Sequence, residues 1–275
     1  MTPDEEAKAK RKRRFFVVRV SILLFILFLV VLYAVRDLRS RRGRNAWDHT
    51  LDVAIVLVHA AGEPPIDPDA QRALEDRIPV LEDRLAAEAE RHRPGLGKPL
   101  RFKLHGPVEV AAPPPSPASD GAVDLASQTI AMKKWLADVD PRAGVVPEHW
   151  DTRIYVVARK PASERRSFVE GQSEQDGRIG SVAVELDASM ADTTLFVVTH
   201  ELMHTLGATD KYDAAGNTKL PEGLADPDRE PLYPQDRAEV MARNRVVAPG
   251  NETIPTSLDQ LAVGPQTATE IGWRR

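Results

Sequence analysis

The chain has 275 residues, of which 42% are hydrophobic and 28% charged, a composition typical of a packed globular protein and not of a disordered one. It contains no cysteine, which excludes a disulfide framework, iron–sulfur ligation and zinc sites with thiolate ligands. Residues 1–44 hold twelve Lys and Arg against four Asp and Glu, whereas the remainder holds 25 against 37, a net charge of −12. So acidic a body would repel phosphate, and we expect no nucleic-acid partner.

The first predicted element is the apolar run from Phe15 to Val35, FFVVRVSILLFILFLVVLYAV, whose single charge is Arg19. As a helix it would span about 30 Å, the hydrocarbon thickness of a bilayer, and Arg19 lies close enough to the start to reach the headgroups. The alternative is a cleaved signal peptide, for which Arg13-Arg14-Phe15-Phe16 resembles a twin-arginine signal. The run is long and apolar for such a signal, and no small-residue cleavage site follows it. We therefore predict an uncleaved transmembrane anchor over residues 15–35.

Basic segments flank this anchor on both sides, as an N-terminal tail (residues 1–14) and a connector (residues 36–48). Six basic residues lie before the anchor and five after it up to residue 44, so the positive-inside rule is nearly balanced. The denser cluster on the short tail favours a cytoplasmic N-terminus. We predict a single-pass membrane protein whose soluble domain is extracytoplasmic.

Residues 49–275 are predicted to form that soluble domain. Its elements, in chain order, are a buried strand over Leu51–Val58, a helix over Asp67–Arg93, a strand over Arg101–Val110, a proline-rich surface linker over Ala111–Gly121, a helix over Asp124–Val139, and strands over Arg153–Ala158 and Gly180–Leu186. Pro79 should kink or split the first of these helices. The order of elements predicts an α+β domain with a mixed twisted sheet, one further helix and a smaller C-terminal subdomain.

The further helix carries the most informative motif, residues 199–213, THELMHTLGATDKYD. His200 and His204 are four residues apart, so both imidazoles leave one face of a helix, as two ligands of one zinc ion must. Glu201 lies one step round the helix, where it can hold and deprotonate a metal-bound water. The opposite face presents a core-facing stripe of Leu195, Val198, Leu202 and Leu206. The alternative is a chance HExxH on an ordinary amphipathic helix.

The residues after this helix offer a third ligand. Gly207 follows His204 by three residues, where a left-handed helix cap turns the chain sharply, and glycine adopts that conformation without steric cost. Three residues later Asp210 provides an anionic oxygen that the turn can bring back towards the metal. We predict that His200, His204 and Asp210 bind one catalytic zinc ion.

This pattern, residues 200–210, resembles the zinc signature of the metzincin metalloproteases, with aspartate in place of the usual third histidine. The variant is similar to that of the snapalysin-type proteases. The resemblance implies a zincin-like fold, a catalytic zinc and hydrolysis of peptide bonds. It also implies a methionine turn under the metal, for which Met241, 31 residues beyond Asp210, has a fitting position. The resemblance covers residues 180–245, and the anchor and the proline-rich linker have no counterpart in it.

Other carboxylates compete for the third-ligand position. Glu222 and Asp226 have the ExxxD spacing that gluzincins place on a second helix, but flanking prolines and an internal glycine disfavour a helix here. Asp213 is close to the motif but lies off the expected spacing.

The predicted function is a membrane-anchored zinc endopeptidase in which Glu201 activates the metal-bound water and returns the proton to the leaving amine. Its partners would be a protein or peptide substrate and the membrane. Tyr212 could stabilise the oxyanion or orient a ligand, or could simply pack on the turn. The strand Gly180–Leu186 could lie at the sheet edge and pair with substrate, or be buried.

Two further functions stay open at this point, a non-catalytic anchored zinc-binding scaffold and a non-peptidase metallohydrolase. A structural zinc site needs a fourth protein ligand and no base, so Glu201 weighs against the scaffold. The net charge of the body suggests that acidic substrates are disfavoured, although the charge is not assigned to a cleft.

Overall fold

A computed structural model describes residues 3–115, 121–161, 169–173 and 177–274. Residues 116–120 of the predicted linker and residues 1 and 2 of the predicted tail lie outside this part. The chain divides into two compact units, Met1–Gly43 and Arg44–Arg275. Helix α1 (Pro3–Arg44) makes up the first unit, and its segment Arg13–Leu32 is long and apolar enough to cross a membrane, with none of that window buried. A membrane span and a signal sequence both meet this criterion.

The second unit is built on a five-stranded sheet with the spatial order β2-β1-β3-β5-β4. The strands are β1 (Leu51–Ala60), β2 (Leu100–Val110), β3 (Thr152–Arg159), β4 (Val169–Ser173) and β5 (Ile179–Glu185). Neighbouring strands are parallel, except that β4 pairs antiparallel with β5. The predicted mixed sheet is therefore confirmed. Strand β1 is apolar and buried along nearly all its length, as expected for a central parallel strand.

The strand predicted over Gly180–Leu186 is expected to lie either at the edge of the sheet or inside it, and the structure shows the second arrangement. The strand predicted over Gly180–Leu186 is β5, which lies between β3 and β4, and β4 is the edge strand. The sequence of β4, VEGQS, is short and polar, as edge strands often are, and so it lacks the apolar pattern by which a strand is recognised.

Three helices cover the sheet: α2 (Pro68–His92), α3 (Ala122–Arg142) and α4 (Ala191–Thr205). Helices α2 and α4 pack on one face of the sheet, and α3 packs on the other face. Asp67 caps α2 by accepting a hydrogen bond from the backbone of Asp69, a typical N-cap interaction. Of the two alternatives predicted at Pro79, a kink or a split, the split is wrong, since α2 continues through this residue. Pro79 is exposed, so water can reach the carbonyl that its ring leaves unpaired.

After α4 the chain forms little regular structure. The short elements are β6 (Ala238–Glu239), β7 (Arg245–Ala248), β8 (Asn251–Thr253), β9 (Leu261–Ala262) and α5 (Pro265–Glu270), with β6 paired to β9 and β7 to β8. Many buried residues of this segment, among them Val240, Met241 and Ile271, belong to the same hydrophobic cluster as α2 and α4. The predicted smaller subdomain is thus a cover on the main core.

The beginning of the second unit is also packed into this core. The Trp47 indole is 5% exposed, lies 5.6 Å from that of Trp273, and donates a hydrogen bond to the carbonyl of Ile271 at 2.7 Å. The side-chain amide of Asn45 donates to the carbonyl of Leu206 at 2.9 Å. Because Leu206 is the C-cap of α4, this contact completes the end of the helix that carries the histidines.

Candidate metal centre

Helix α4 holds the two histidines side by side. The Nε2 atoms of His200 and His204 are 3.1 Å apart, and the rings meet edge to face. Each Nδ1 lies 2.9 Å from a backbone carbonyl, that of Val240 for His200 and that of Ala208 for His204. A carbonyl only accepts hydrogen bonds, so each Nδ1 carries the proton and each Nε2 directs a lone pair into the site. The predicted core-facing stripe of α4 is buried: Leu195, Val198, Leu202 and Leu206.

The turn after α4 brings Asp210 to the histidines. Gly207 has φ 97°, the left-handed conformation that glycine adopts without strain, and backbone hydrogen bonds close the helix end around it. As a result, Asp210 Oδ1 lies 3.3 Å from Nε2 of His200 and 3.2 Å from Nε2 of His204. The structure therefore brings the three predicted ligands together.

The spacing of these three atoms fits a metal ion. They form a nearly equilateral triangle with sides of 3.1, 3.2 and 3.3 Å, and ligands bound at 2.0–2.1 Å to tetrahedral zinc would be about 3.3 Å apart. When both imidazoles are neutral and their Nδ1 protons are engaged by carbonyls, the triangle holds lone pairs and a negative charge but no donor, an arrangement that a cation would stabilise. Two imidazoles and one carboxylate are a usual donor set for catalytic zinc and leave the fourth position open.

The charge on Asp210 supports this arrangement. Burial alone would raise its pKa, but the imidazoles of His200 and His204, in their protonated form, outweigh burial through hydrogen bonds and positive charge and hold the pKa well below its ordinary range. Burial lowers the pKa of His204, but the Asp210 carboxylate, the carbonyl of Ala208 and the charge of Glu201 together more than reverse this effect and raise the pKa. The third corner of the triangle is therefore a carboxylate at neutral pH.

Glu201 lies directly beside the triangle. Its side chain is buried, Oε1 is 4.0 Å from Nε2 of His200, and Oε2 has no hydrogen-bond partner among the described residues. Single ligand atoms of His200, Glu201 and His204 all lie within 4.8 Å of one another. A buried carboxylate oxygen without a partner is costly to maintain, and it is available to accept a proton in the site.

Gly171 of the edge strand makes room for Glu201. A Cβ atom at residue 171 would overlap Oε1 of Glu201, and one at Gly180 of β5 would lie 3.4 Å from the Cβ of Glu201. Sequence reasoning missed Gly171. The sequence feature that could have identified it is a glycine in the middle of a short polar strand, since such a glycine often marks a close approach by another group.

The turn that contains Met241 supports the site from the core side. Met241 is fully buried in the main hydrophobic cluster, and its carbonyl accepts a hydrogen bond from the backbone of Lys211 at 2.9 Å. The carbonyl of the preceding Val240 is the partner of His200. The turn thus orients one candidate ligand and fixes the chain immediately after Asp210.

Glu239 holds this turn in place. Its carboxylate accepts hydrogen bonds from the backbone of Met241 at 2.6 Å, of Ala242 at 2.9 Å and of Gly264 at 3.2 Å. The side chain is fully buried, and burial raises its pKa against the opposing effect of these hydrogen bonds. Sequence reasoning missed Glu239, because nothing local distinguishes it from a surface glutamate.

Tyr212 lines the site next to His200. The two rings stack with centroids 6.2 Å apart and planes inclined by 25°, and the guanidinium of Arg243 lies 5.2 Å from the centre of the Tyr212 ring. Burial, followed by the charge of Asp210, raises the pKa of Tyr212, and Arg243 opposes this. The phenol is therefore neutral and able to donate a hydrogen bond near the metal position.

The competing carboxylates are engaged elsewhere. Asp226 forms ion pairs with Arg91 at 2.9 Å and with Arg237 at 3.4 Å, and Glu222 lies in a turn, not on a helix. Asp213 accepts hydrogen bonds from the backbone of its own turn. Asp210 is thus the carboxylate that the structure brings to the histidines.

Comparison with known proteins adds little to this geometry. No known protein family and no curated protein matches the sequence. Among solved structures, the chain is similar to an archaemetzincin from Methanopyrus kandleri, with 18% sequence identity over 61% of this chain and 78% of that chain and a TM-score of 0.32. At this level the similarity decides neither the fold nor the activity, and the interpretation rests on the site itself.

Proposed function

We propose that this protein is a zinc-dependent endopeptidase attached to a membrane by α1, with His200, His204 and Asp210 as metal ligands. The observation that carries the proposal is the triangle of lone-pair atoms with sides of 3.1–3.3 Å. When bound there, zinc would supply a Lewis acid that lowers the pKa of water and polarises a carbonyl group.

The chain's own contribution to the reaction is the placement of Glu201. Its unpartnered Oε2 can take the proton of the attacking water and later deliver that proton to the leaving amine. A structural zinc site would have a fourth protein ligand and no use for such a base. The position of Glu201 therefore favours an enzyme over a zinc-binding scaffold.

The edge strand favours a peptide over a small amide as substrate. Strand β4 has a sheet neighbour on one side only among the described strands, and its Gly171 lies against Glu201. An extended peptide that pairs with the free edge of β4 would therefore run past the base. Recognition through backbone hydrogen bonds would tolerate many side chains.

The proposed location is a membrane, with the soluble unit outside the cytoplasm. This rests on the apolar segment Arg13–Leu32 of α1 and on the dense basic cluster that precedes it. Labelling of cysteines introduced into the cysteine-free chain, with an impermeant reagent on intact cells, tests the orientation. Labelling at residue 251, which is exposed, but not at residue 8 is expected, and the reverse pattern would contradict the orientation.

The function is tested on the full chain in detergent, by metal analysis and by cleavage of a diverse peptide library. We compare the wild type with Glu201→Gln and with the matched control Glu222→Gln, which changes an exposed carboxylate. We expect one zinc per chain in all three proteins, and a loss of about 10²–10⁴-fold in cleavage rate for Glu201→Gln alone. Absence of zinc from the folded protein would refute the metal site, and zinc without cleavage would favour the scaffold.

A further inference from the structure

The rim of the candidate metal centre carries a stacked arginine. The guanidinium of Arg243 lies 5.2 Å from the centre of the Tyr212 ring, and this ring stacks on the imidazole of His200. Tyr212 thus contacts both the arginine and a candidate metal ligand. A guanidinium that lies over an aromatic face keeps the N–H groups at its edge free to bind a further group.

The backbone fixes the position of this arginine. Arg243 has φ 71°, and among the described residues it shares positive φ outside glycine with Trp47 alone. Its N–H donates to the carbonyl of Glu239 at 3.1 Å, within the turn that the Glu239 side chain also holds. A left-handed non-glycine residue is sterically unfavourable and often marks a functional position.

Arg243 also lacks the acidic partner that other arginines of this acidic domain have. Its side chain is exposed and forms no ion pair with any carboxylate in the described part of the chain. By contrast, carboxylates pair with Arg77, Arg84, Arg91, Arg101, Arg142, Arg153, Arg229 and Arg237. An unpaired, oriented positive charge next to the site is therefore available to an incoming anion.

We infer that Arg243 binds a carboxylate of the substrate, so that the enzyme prefers peptides with an acidic group close to the cleaved bond. The planar fork of arginine matches a carboxylate with two parallel hydrogen bonds. The carboxylate comes from an Asp or Glu side chain or from the C-terminus of the peptide. This inference rests on the proposed function, and it reverses the expectation that acidic substrates are disfavoured, because the net charge of the domain does not describe the rim of the site.

The inference is tested with the full chain, loaded with zinc, on matched peptides. One series differs by Glu against Gln on either side of the cleaved bond, with amidated C-termini, and a second differs by a free against an amidated C-terminus. We expect kcat/KM to be about tenfold higher for the acid than for the amide in one of the series, mostly through KM. The series that responds identifies the source of the carboxylate.

Variants at the arginine complete the test. In Arg243→Met the acid-to-amide ratio should fall to about one, and Arg243→Glu should favour a Lys peptide over its Gln counterpart. The matched control Arg245→Met removes an arginine two residues further on, which contacts the Thr253 hydroxyl, and should keep the ratio. Binding of the same peptides to zinc-loaded Glu201→Gln, followed by fluorescence, should show the same preference without catalysis.

The outcomes separate the two proposals. Equal cleavage of acid and amide peptides by the wild type, or a preference that persists in Arg243→Met, would overturn the role of Arg243 and leave the proposed function intact. Cleavage of neither series by the zinc-loaded wild type would overturn the proposed function and this inference with it.

Discussion

The candidate metal centre is assembled from two regions that are built in different ways. Helix α4 supplies His200, Glu201 and His204, and helical geometry alone sets the spacing of the two histidines. The irregular segment that follows supplies Asp210 and Arg243, whose positions depend on a glycine turn and on buried hydrogen bonds. A helix fixes its side chains through local geometry, whereas a loop needs contacts from distant parts of the chain. Substitutions that separate these two kinds of support test the comparison.

The largest effect on cleavage is expected at Gly171 of β4, because the position of Glu201 on α4 depends on the space that this glycine leaves. In Gly171→Ala the new methyl group would overlap the Glu201 carboxylate and displace the base. We expect cleavage to fall by about 10²–10³-fold, while the zinc content stays at the wild-type level because the ligands are untouched. Loss of zinc and activity together would mean that the strand supports the whole site. Unchanged activity would contradict the role given to Glu201.

The next effect concerns the support of the loop region. Glu239→Ala leaves the buried backbone N–H groups of Met241 and Gly264 without their acceptor, whereas that of Ala242 keeps the backbone carbonyl of residue 239. We expect the free energy of unfolding to fall by about 2–3 kcal/mol. Zinc affinity should fall as well, since the turn orients His200. Denaturant unfolding and zinc titration measure both.

Glu185→Ala is the matched control for this substitution. Glu185 is also buried, but its Oε2 has no partner in the described part of the chain, and it lies at the end of β5. We expect a smaller loss of stability and no change in zinc affinity. An equal effect of the two substitutions would contradict a special role of Glu239.

The turn that brings Asp210 to the histidines is tested by Gly207→Ala. A side chain at φ 97° costs about 1–2 kcal/mol, and the turn can relieve this only by moving Asp210. Gly216→Ala introduces a similar strain at φ 83° in an exposed turn. Both variants should lose stability, but only Gly207→Ala should bind zinc more weakly. Equal zinc affinities would show that the turn does not position the ligand.

The smallest effect is a dependence of stability on pH. Lys211, next to Asp210, pairs with Glu270 at 2.7 Å. Burial raises the pKa of Glu270, but the lysine and the hydrogen bonds from Thr209 together more than reverse this and lower it. The pair therefore stabilises the folded state above the unfolded pKa of Glu270, and this contribution is lost as pH falls through the lower folded pKa. Lys211→Met should cost about 1–2 kcal/mol at neutral pH, since Glu270 loses the lysine but keeps the hydrogen bonds that Thr209 donates, and less in acid.

Lys98→Met serves as the control for the pH effect. Its partner Asp83 is exposed, and exposed ion pairs contribute little to stability. Thermal unfolding across the acid range should therefore separate the two variants at neutral pH and bring them together in acid. A constant difference between them would contradict the assignment to Glu270.

The difference between local geometry and contacts from distant parts of the chain also determines how much of the structure the sequence predicts. The apolar runs of β1, β3 and β5 and the three- and four-residue periodicity of α2 and α4 are local signals. The structure contains all five elements, and β1, β3, β5 and α2 lie within a few residues of their predicted bounds. The continuity of α2 through Pro79 depends on solvent access to one carbonyl, which no local pattern contains. Strand β4 lacks an apolar pattern altogether.

Within the candidate site, the predictable part is again the local part. The spacing of residues 200–210 includes the glycine turn, so the approach of Asp210 to the histidines could be foreseen. Gly171 lies 30 residues before Glu201 in the chain, and their contact arises only when β4 pairs with β5. The same holds for Arg243, whose proposed role depends on its contact with the Tyr212 ring. Contacts between residues far apart in sequence leave no periodic signal.

The packing of Asn45 and Trp47 has a consequence for any soluble, released form of this protein. A protease that cut the chain between residues 43 and 44 would leave the indole in place between Ile271 and Trp273. A cut after Trp47 would remove a buried indole, at a cost of about 3–5 kcal/mol, and would leave the last turn of α4 without the Asn45 amide. A soluble form therefore keeps the candidate metal centre intact only when the cut leaves both Asn45 and Trp47 on the second unit.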